Sequence, residues 1–294
     1  MSGGATKNEF SGDRAAQTMP LRVAEVEARS VLNRSGIAEW TVNCYAGCQH
    51  GCVYCYARFA TRFSHPNQPW GSFVDVKINT PELLSREVRR RRAGEVFVSS
   101  VCDPWQPPEA RYGLTRRCLE ILLQNDFRVR TLTKSTLAAR DLDIMAAHRD
   151  LVEFGVTITT LNPNLARLLE PAAAAPDRRV GLLAEAKSKG LRTYAFLGPL
   201  MPGLADGEEQ IVQLVKAAVD AGADYLFVDR LNPRFGVWGD LKAMLLRHHP
   251  ELLQEYRAVL YDPIYRHQYT IRLRDAITRV LSRYGLEERA RLCF

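Results

Sequence analysis

No stretch of this chain approaches the roughly 18 consecutive apolar residues that a membrane span requires. The opening residues, MSGGATKNEFSGDRAAQTMP, also lack the apolar core of a secretory signal and read as a flexible leader. The two absences predict a cytoplasmic protein with no membrane partner, in a compartment that keeps thiols reduced. Repeats and low-complexity tracts are missing too, which excludes solenoid and fibrous architectures. The six histidines show no ligand spacing, and no second C-x2-C pair exists to complete a structural zinc site. Seven cysteines, an odd number clustered at one place, fit a metal site better than a disulfide framework.

What is present is the composition of a globular enzyme: 294 residues, 46% hydrophobic and 25% charged. A net charge of +7 favours a phosphate-rich partner, because Lys and Arg displace counterions from nucleic acid. Apolar runs at 37–42, 95–100, 128–133, 153–160, 192–198 and 224–229 have the length and composition of strands. Between them, helical patterns occupy 81–92, 114–125, 139–149, 177–189 and 206–221. Strict alternation implies βαβ units with a parallel sheet. Six units, too few for eight, predict an α/β fold of the partial (β/α)6 TIM-like barrel type, with a helical cap at the C-terminus. The expected division is a leader over 1–35, the barrel over 36–235 and the cap over 236–294. Chemistry in such folds sits on loops after the strands.

The first of those loops carries NCYAGCQHGCVYCYAR, residues 43–58, which holds four of the seven cysteines. Cys48, Cys52 and Cys55, spaced C-x3-C-x2-C, can reach one metal centre from a short turn. Gly47 and Gly51 give the backbone the freedom such a turn needs. A structural zinc or a chance cluster is the plainer alternative, but both zinc and a [4Fe–4S] cluster normally take four protein ligands. Three would leave one iron open to another molecule. Cys44 lies just outside the triplet, either as a spare ligand or as a bystander.

With the barrel, the triplet resembles the radical S-adenosylmethionine (SAM) enzymes. GCQHGCVYCYA, VCDPWQPPEARYGLTRRCLEILL, TLTKS, TITTLNPNLARLLEP and LGPLMPGLAD together are similar to the branch related to spore photoproduct lyase, over roughly residues 36–235. The resemblance implies that Cys48, Cys52 and Cys55 hold a [4Fe–4S] cluster whose fourth iron binds SAM. It further implies reductive cleavage of SAM to methionine and a 5′-deoxyadenosyl radical that abstracts a substrate hydrogen, with an electron donor such as flavodoxin or ferredoxin. The implied substrate is a nucleic acid base undergoing repair or modification. The alternative is a peptide or small metabolite, and an alternative of another class is a non-catalytic iron–sulfur or zinc protein.

Other site residues follow from family position. Tyr54 would pack against SAM, and Tyr56 would take part in radical turnover. Cys102 would return a hydrogen atom through its weak S–H bond, although aligning the aspartates puts Ser100 at the donor position. The glycine-rich segment that receives SAM's amino group in many members is absent, so Ser100 and Asp103 are the expected acceptors. Lys134 would pair with SAM's carboxylate as a point charge. Thr159, Thr160 and Asn162 would reach the ribose, and residues 196–203 the adenine. Cys118 reads as helix core, and the basic run at 86–92 as a solvated helix face. Trp70, Trp105 and Trp238 could stack on a base, with packing as the ordinary explanation.

Overall fold

The computed structural model describes residues 20–234 and 236–294. The first 19 residues of the expected leader lie outside the described residues. In chain order the early strands are β1 (Arg22–Val26), β2 (Leu32–Arg34), β3 (Trp40–Val42), β4 (Tyr45–Ala46) and β5 (Phe73–Lys77), then helix α1 (Thr80–Val88) and β6 (Glu95–Val98). The middle of the chain holds α2 (Glu109–Tyr112), α3 (Leu114–Gln124), β7 (Arg128–Thr133), α4 (Leu142–Ala147) and β8 (Val152–Ile158). There follow α5 (Pro163–Leu169), α6 (Pro176–Ser188), β9 (Arg192–Leu200), α7 (Glu208–Asp220) and β10 (Tyr225–Arg230). The chain closes with α8 (Val237–His248), α9 (Leu253–Tyr261), α10 (Pro263–Arg283) and β11 (Ala290–Leu292).

Six strands, β3, β6, β7, β8, β9 and β10, are parallel and adjacent in chain order. This is the mixed α/β fold with a parallel sheet that strand–helix alternation predicts. β2 closes one edge antiparallel to β3, and β11 the other, parallel to β10. β8 shows why the alternation is readable: covered on both faces, it is buried at six of its seven positions, as parallel strands between helices are. The helices bury one stripe each. In α3, Leu114, Cys118 and Leu122 recur every fourth residue and are all buried, which puts Cys118 in the core as its spacing predicts.

Several expectations need correction. Residues 22–26 and 32–34 form strands rather than a leader, because β1 pairs with the distant β5 and β2 with β3. β1, β5 and β4 make a second, three-stranded sheet beside the cysteine loop. The helix expected over 139–149 is broken: 3₁₀ turns at Thr136–Asp141 and Arg149–Leu151 flank the short α4. The C-terminal segment is helical through α10 but then returns to the main sheet as β11. The basic run ends α1 and continues into an exposed turn, with Arg91 over the Trp40 ring.

Aromatic rings pack against the main sheet. Tyr194 leans over β8 at Gly155, stacks on Tyr225 with ring centroids 5.1 Å apart, and donates its hydroxyl to the Thr131 carbonyl at 2.8 Å. No helix among the described residues is long and apolar enough to cross a membrane.

Candidate active site

The cysteine loop begins where β4 ends, and its course is set by two glycines with positive φ. At Gly47 (φ 83°) a Cβ would meet the Phe73 carbonyl oxygen at 2.5 Å, and Gly51 (φ 62°) packs against Gly71. Only glycine takes such a backbone and such an approach at little cost. The turn is then stitched from within by Gly51 N–H to the Cys48 carbonyl (3.3 Å) and Cys55 N–H to the Cys52 carbonyl (3.1 Å). From outside, the buried Gln106 accepts from Gln49 N–H at 2.9 Å and donates to the Gly47 carbonyl at 3.2 Å. The backbone is therefore fixed on both sides before any ligand is considered.

The loop walls a cavity of about 540 Å³ that runs along the strands to their C-terminal ends. Cys48, Cys52 and Cys55 line it as free thiols, together with Tyr54 and Tyr56. The loop after β6 brings Ser100, Cys102 and Asp103, and the end of β7 brings Lys134. Phe196, Gly198 and Pro199 of β9 complete one side. Nine of the sequence-derived site residues thus meet at one place. Thr159 and Asn162 are not among the lining residues. The Asn162 side chain instead caps α5, accepting from Asn164 and Leu165 N–H at 2.9 and 3.2 Å, as an asparagine before a helix-starting proline does. Thr159 stands behind the wall, 3.1 Å from the Tyr54 hydroxyl. Cys44 is in the main core, its sulfur 3.6 Å from that of Cys118, so it is a bystander. Trp105 is fully buried, its indole donating to Asp141 at 2.8 Å, so it is not placed to stack on a base; Trp238 is half-buried and meets Tyr261 edge to face.

Burial dominates the electrostatics. It pushes the Cys48 thiol well up, with Asp103 and the neighbouring cysteines adding to the effect. Burial also raises Cys52 to about 12, against the opposing pull of Lys134. Such thiols stay protonated unless a cation replaces the proton, which is what metal binding does. Burial works against the Lys134 ammonium, yet Cys52 and Glu170 leave its pKa raised. Asp103 is a hub: one carboxylate oxygen accepts from Trp105 N–H (2.9 Å) and the Thr133 hydroxyl (2.7 Å), the other from Lys134 N–H (2.7 Å). Its contacts tie the β6 loop to the end of β7. The Tyr56 hydroxyl donates to the Ser100 carbonyl at 3.0 Å, and the Cys102 thiol to the Tyr45 carbonyl at 3.5 Å.

Sequence reasoning missed His50, 3.4 Å from Asp103, and Ser99, whose φ of 65° is unusual for a side-chain-bearing residue. Also missed were Asp229 on the cavity wall and the buried pair Glu170 and Arg179 behind Tyr54. Of these, His50 and Glu170 sit in quoted family segments. The rest carry no local spacing signal.

The residues present fit a metal–sulfur group. Among the described residues no three His, Cys, Asp or Glu side chains converge closely enough to hold a single metal ion. The arrangement offers three free thiols along one wall instead. Trp70, also on that wall, keeps a buried indole N–H with no partner among the described residues. A group bringing cations to the thiols and acceptor atoms to the indole would satisfy both.

Comparison with known proteins agrees. The family model of the Radical SAM superfamily matches residues 42–215. An uncharacterised protein of Mycobacterium tuberculosis is 31% identical over 285 residues, 93% of this chain and 84% of that one. A radical SAM Nalpha-GlyT isomerase of Pseudomonas phage M6 is 22% identical over 208 residues, 65% of this chain and 42% of the isomerase. Among solved structures, a spore photoproduct lyase variant with bound AdoMet and dinucleoside spore photoproduct superposes with a TM-score of 0.66 at 16% identity. That likeness covers 93% of this chain and 82% of the lyase, and it is one of fold. From the matched domain, the cysteine loop and the full-length relative together, the chain belongs to the radical SAM superfamily.

Proposed function

We propose that this radical SAM enzyme binds a [4Fe–4S] cluster through Cys48, Cys52 and Cys55 and acts on a base of a nucleic acid. The observation that supports the cluster assignment is that three free thiols, two buried and one half-buried, line one cavity with Lys134. When bound, such a cluster supplies one electron to SAM and so a carbon radical that takes hydrogen from a substrate. The chain's own residues bind, orient and shield. Lys134 gives a cation for SAM's carboxylate, Ser100 and Asp103 present oxygens for its ammonium, and the Tyr54 ring forms wall between two thiols. Cys102 and Tyr56 stand on the same wall, placed to pass hydrogen to a substrate radical. The six parallel strands in chain order would form the partial barrel over 36–235, with 236–294 as its cap, and flavodoxin or ferredoxin would deliver the electron.

The nucleic acid reading is supported by the loop that follows the thiols. Tyr56, Phe59 and Phe63 alternate there with Arg58 and Arg62, and Arg234 lies 5.0 Å over the Phe59 ring. Phe63 is 84% exposed with Arg62 above it. An exposed Phe63 beside Arg62, next to half-buried rings with Arg234 over one of them, suits a stacked base and its phosphate. The net charge of +7 favours the same partner.

The test is anaerobic reconstitution. The parent should bind about four irons per chain, and Ala at Cys48, Cys52 or Cys55 should abolish formation of 5′-deoxyadenosine. A single-cysteine variant that cleaves SAM at the parent rate refutes the ligand set. Oligonucleotide affinity should fall steeply with salt; no affinity at low salt would favour a peptide or small metabolite.

A further inference from the structure

Tyr54 stands between Cys52 and Cys55, and its hydroxyl is held from behind. It donates to Glu170 Oε1 in a short hydrogen bond, with Thr159 Oγ1 at 3.1 Å. Thr159 Oγ1 is itself 2.9 Å from both Glu170 Oε1 and the Gly198 carbonyl. The other Glu170 oxygen accepts from Arg179 Nη2 at 2.5 Å. Glu170 is 2% exposed and Arg179 1%. The remaining guanidinium nitrogens are engaged as well, Nε with the Ala174 carbonyl at 2.7 Å and Nη1 with the Thr157 carbonyl at 3.1 Å. One buried carboxylate therefore joins four segments: the cysteine loop, the end of β8, the end of α5 and the first turns of α6.

Backbone bonds run along the same seam. Val53 N–H donates to the Leu169 carbonyl at 2.9 Å, and Ala172 N–H to the His50 carbonyl at 3.2 Å. The loop is thus already attached to residues 169–172 without the Glu170 side chain. What that side chain adds is the placement of one ring, whose other side faces Lys134, with Nζ 5.8 Å from the ring centroid. A buried ion pair is a weak device for stability, since apolar side chains of similar volume often do as well, but it imposes a specific geometry.

We infer that Glu170 is a positioning residue: held by Arg179, it fixes the Tyr54 ring in the cavity wall facing Lys134 and so sets the affinity of the cavity for SAM. The inference rests on the functional reading above. Groups that orient first contacts around a metal centre commonly change affinity when substituted.

The test is the equilibrium dissociation constant for SAM of the reconstituted protein. Iron content and the thermal midpoint of the iron-free protein are measured beside it. Glu170→Gln keeps the size and an acceptor for the hydroxyl but removes the charge that engages Arg179. Tyr54→Phe removes only the hydroxyl and serves if the Gln variant does not fold. Each should bind SAM about ten-fold to a hundred-fold more weakly, with iron content near that of the parent. Because both act on one contact, the double variant should bind no more weakly than the poorer single. Parent-like SAM affinity in the variants, even with a lowered thermal midpoint, overturns the inference, and so does an additive loss in the double variant. A parent that binds neither iron nor SAM overturns the functional reading and this inference with it. A parent that binds both, beside unaffected variants, overturns this inference alone.

Discussion

Asp229, next to last in β10, has its carboxyl on the cavity wall, and among the described residues that carboxyl is hydrogen-bonded only by Arg230 N–H at 2.9 Å. Burial pushes its pKa from the ordinary 3.8 up to about 6. Its protonated form is thus favoured by folding. The contribution to stability is complete below the unfolded value and is lost as pH rises through the folded one, between about pH 4 and pH 6. Asp229→Asn should flatten the fall in stability across that window, read as urea midpoints at a series of pH values. An unchanged pH slope would show that Asp229 is solvated in solution. Single residues also mark the limits of reading a sequence. The triplet at 48, 52 and 55 is legible because ligand spacing is a local property. The separation of Cys44 from it is not, since its partner Cys118 lies 74 residues away. Glu170 is invisible for the same reason: nothing near it in the chain announces that Tyr54 and Arg179 will meet it.

At the scale of elements, the six parallel strands are legible because each is a short run of buried positions, nearly continuous in β8 and alternating in β7 and β10. β1 and β5 are not, because each is short and its pairing joins segments about fifty residues apart. The same dependence on distant partners governs Gly155 in the middle of β8. A Cβ there would lie 2.3 Å from the Tyr194 ring, so β8 and β9 fit only if one position is bare. Gly→Ala inside a strand ordinarily favours the fold, but here overpacking should outweigh that gain. Gly155→Ala is expected to cost on the order of 1–3 kcal/mol, seen as a lower thermal midpoint. A smaller side chain in place of Tyr194 should restore part of the loss. A neutral or stabilising result would mean that the ring can swing away, and that the cavity floor is looser than its packing indicates.

For the molecule as a whole, the main sheet follows chain order from one margin to the other, β2 at one edge and β11 at the opposite one. β11 is three residues long and bonded to one neighbour, β10, with Cys293 N–H reaching the Val228 carbonyl at 3.0 Å. Arg291 and Cys293 nonetheless belong to the cavity wall. A margin strand with so few bonds opens more readily than strands held on both sides. Amides at 290–293 should therefore exchange hydrogen sooner than those of β7 and β8. Equal protection, measured by exchange mass spectrometry, would place β11 in the same cooperative unit as the central strands. The consequence is one of time. Because Arg291 and Cys293 belong to the cavity wall, opening of residues 290–293 would expose that side of the cavity to solvent. How long the thiols stay dry would then depend on residues 290–293 as well as on the cysteine loop.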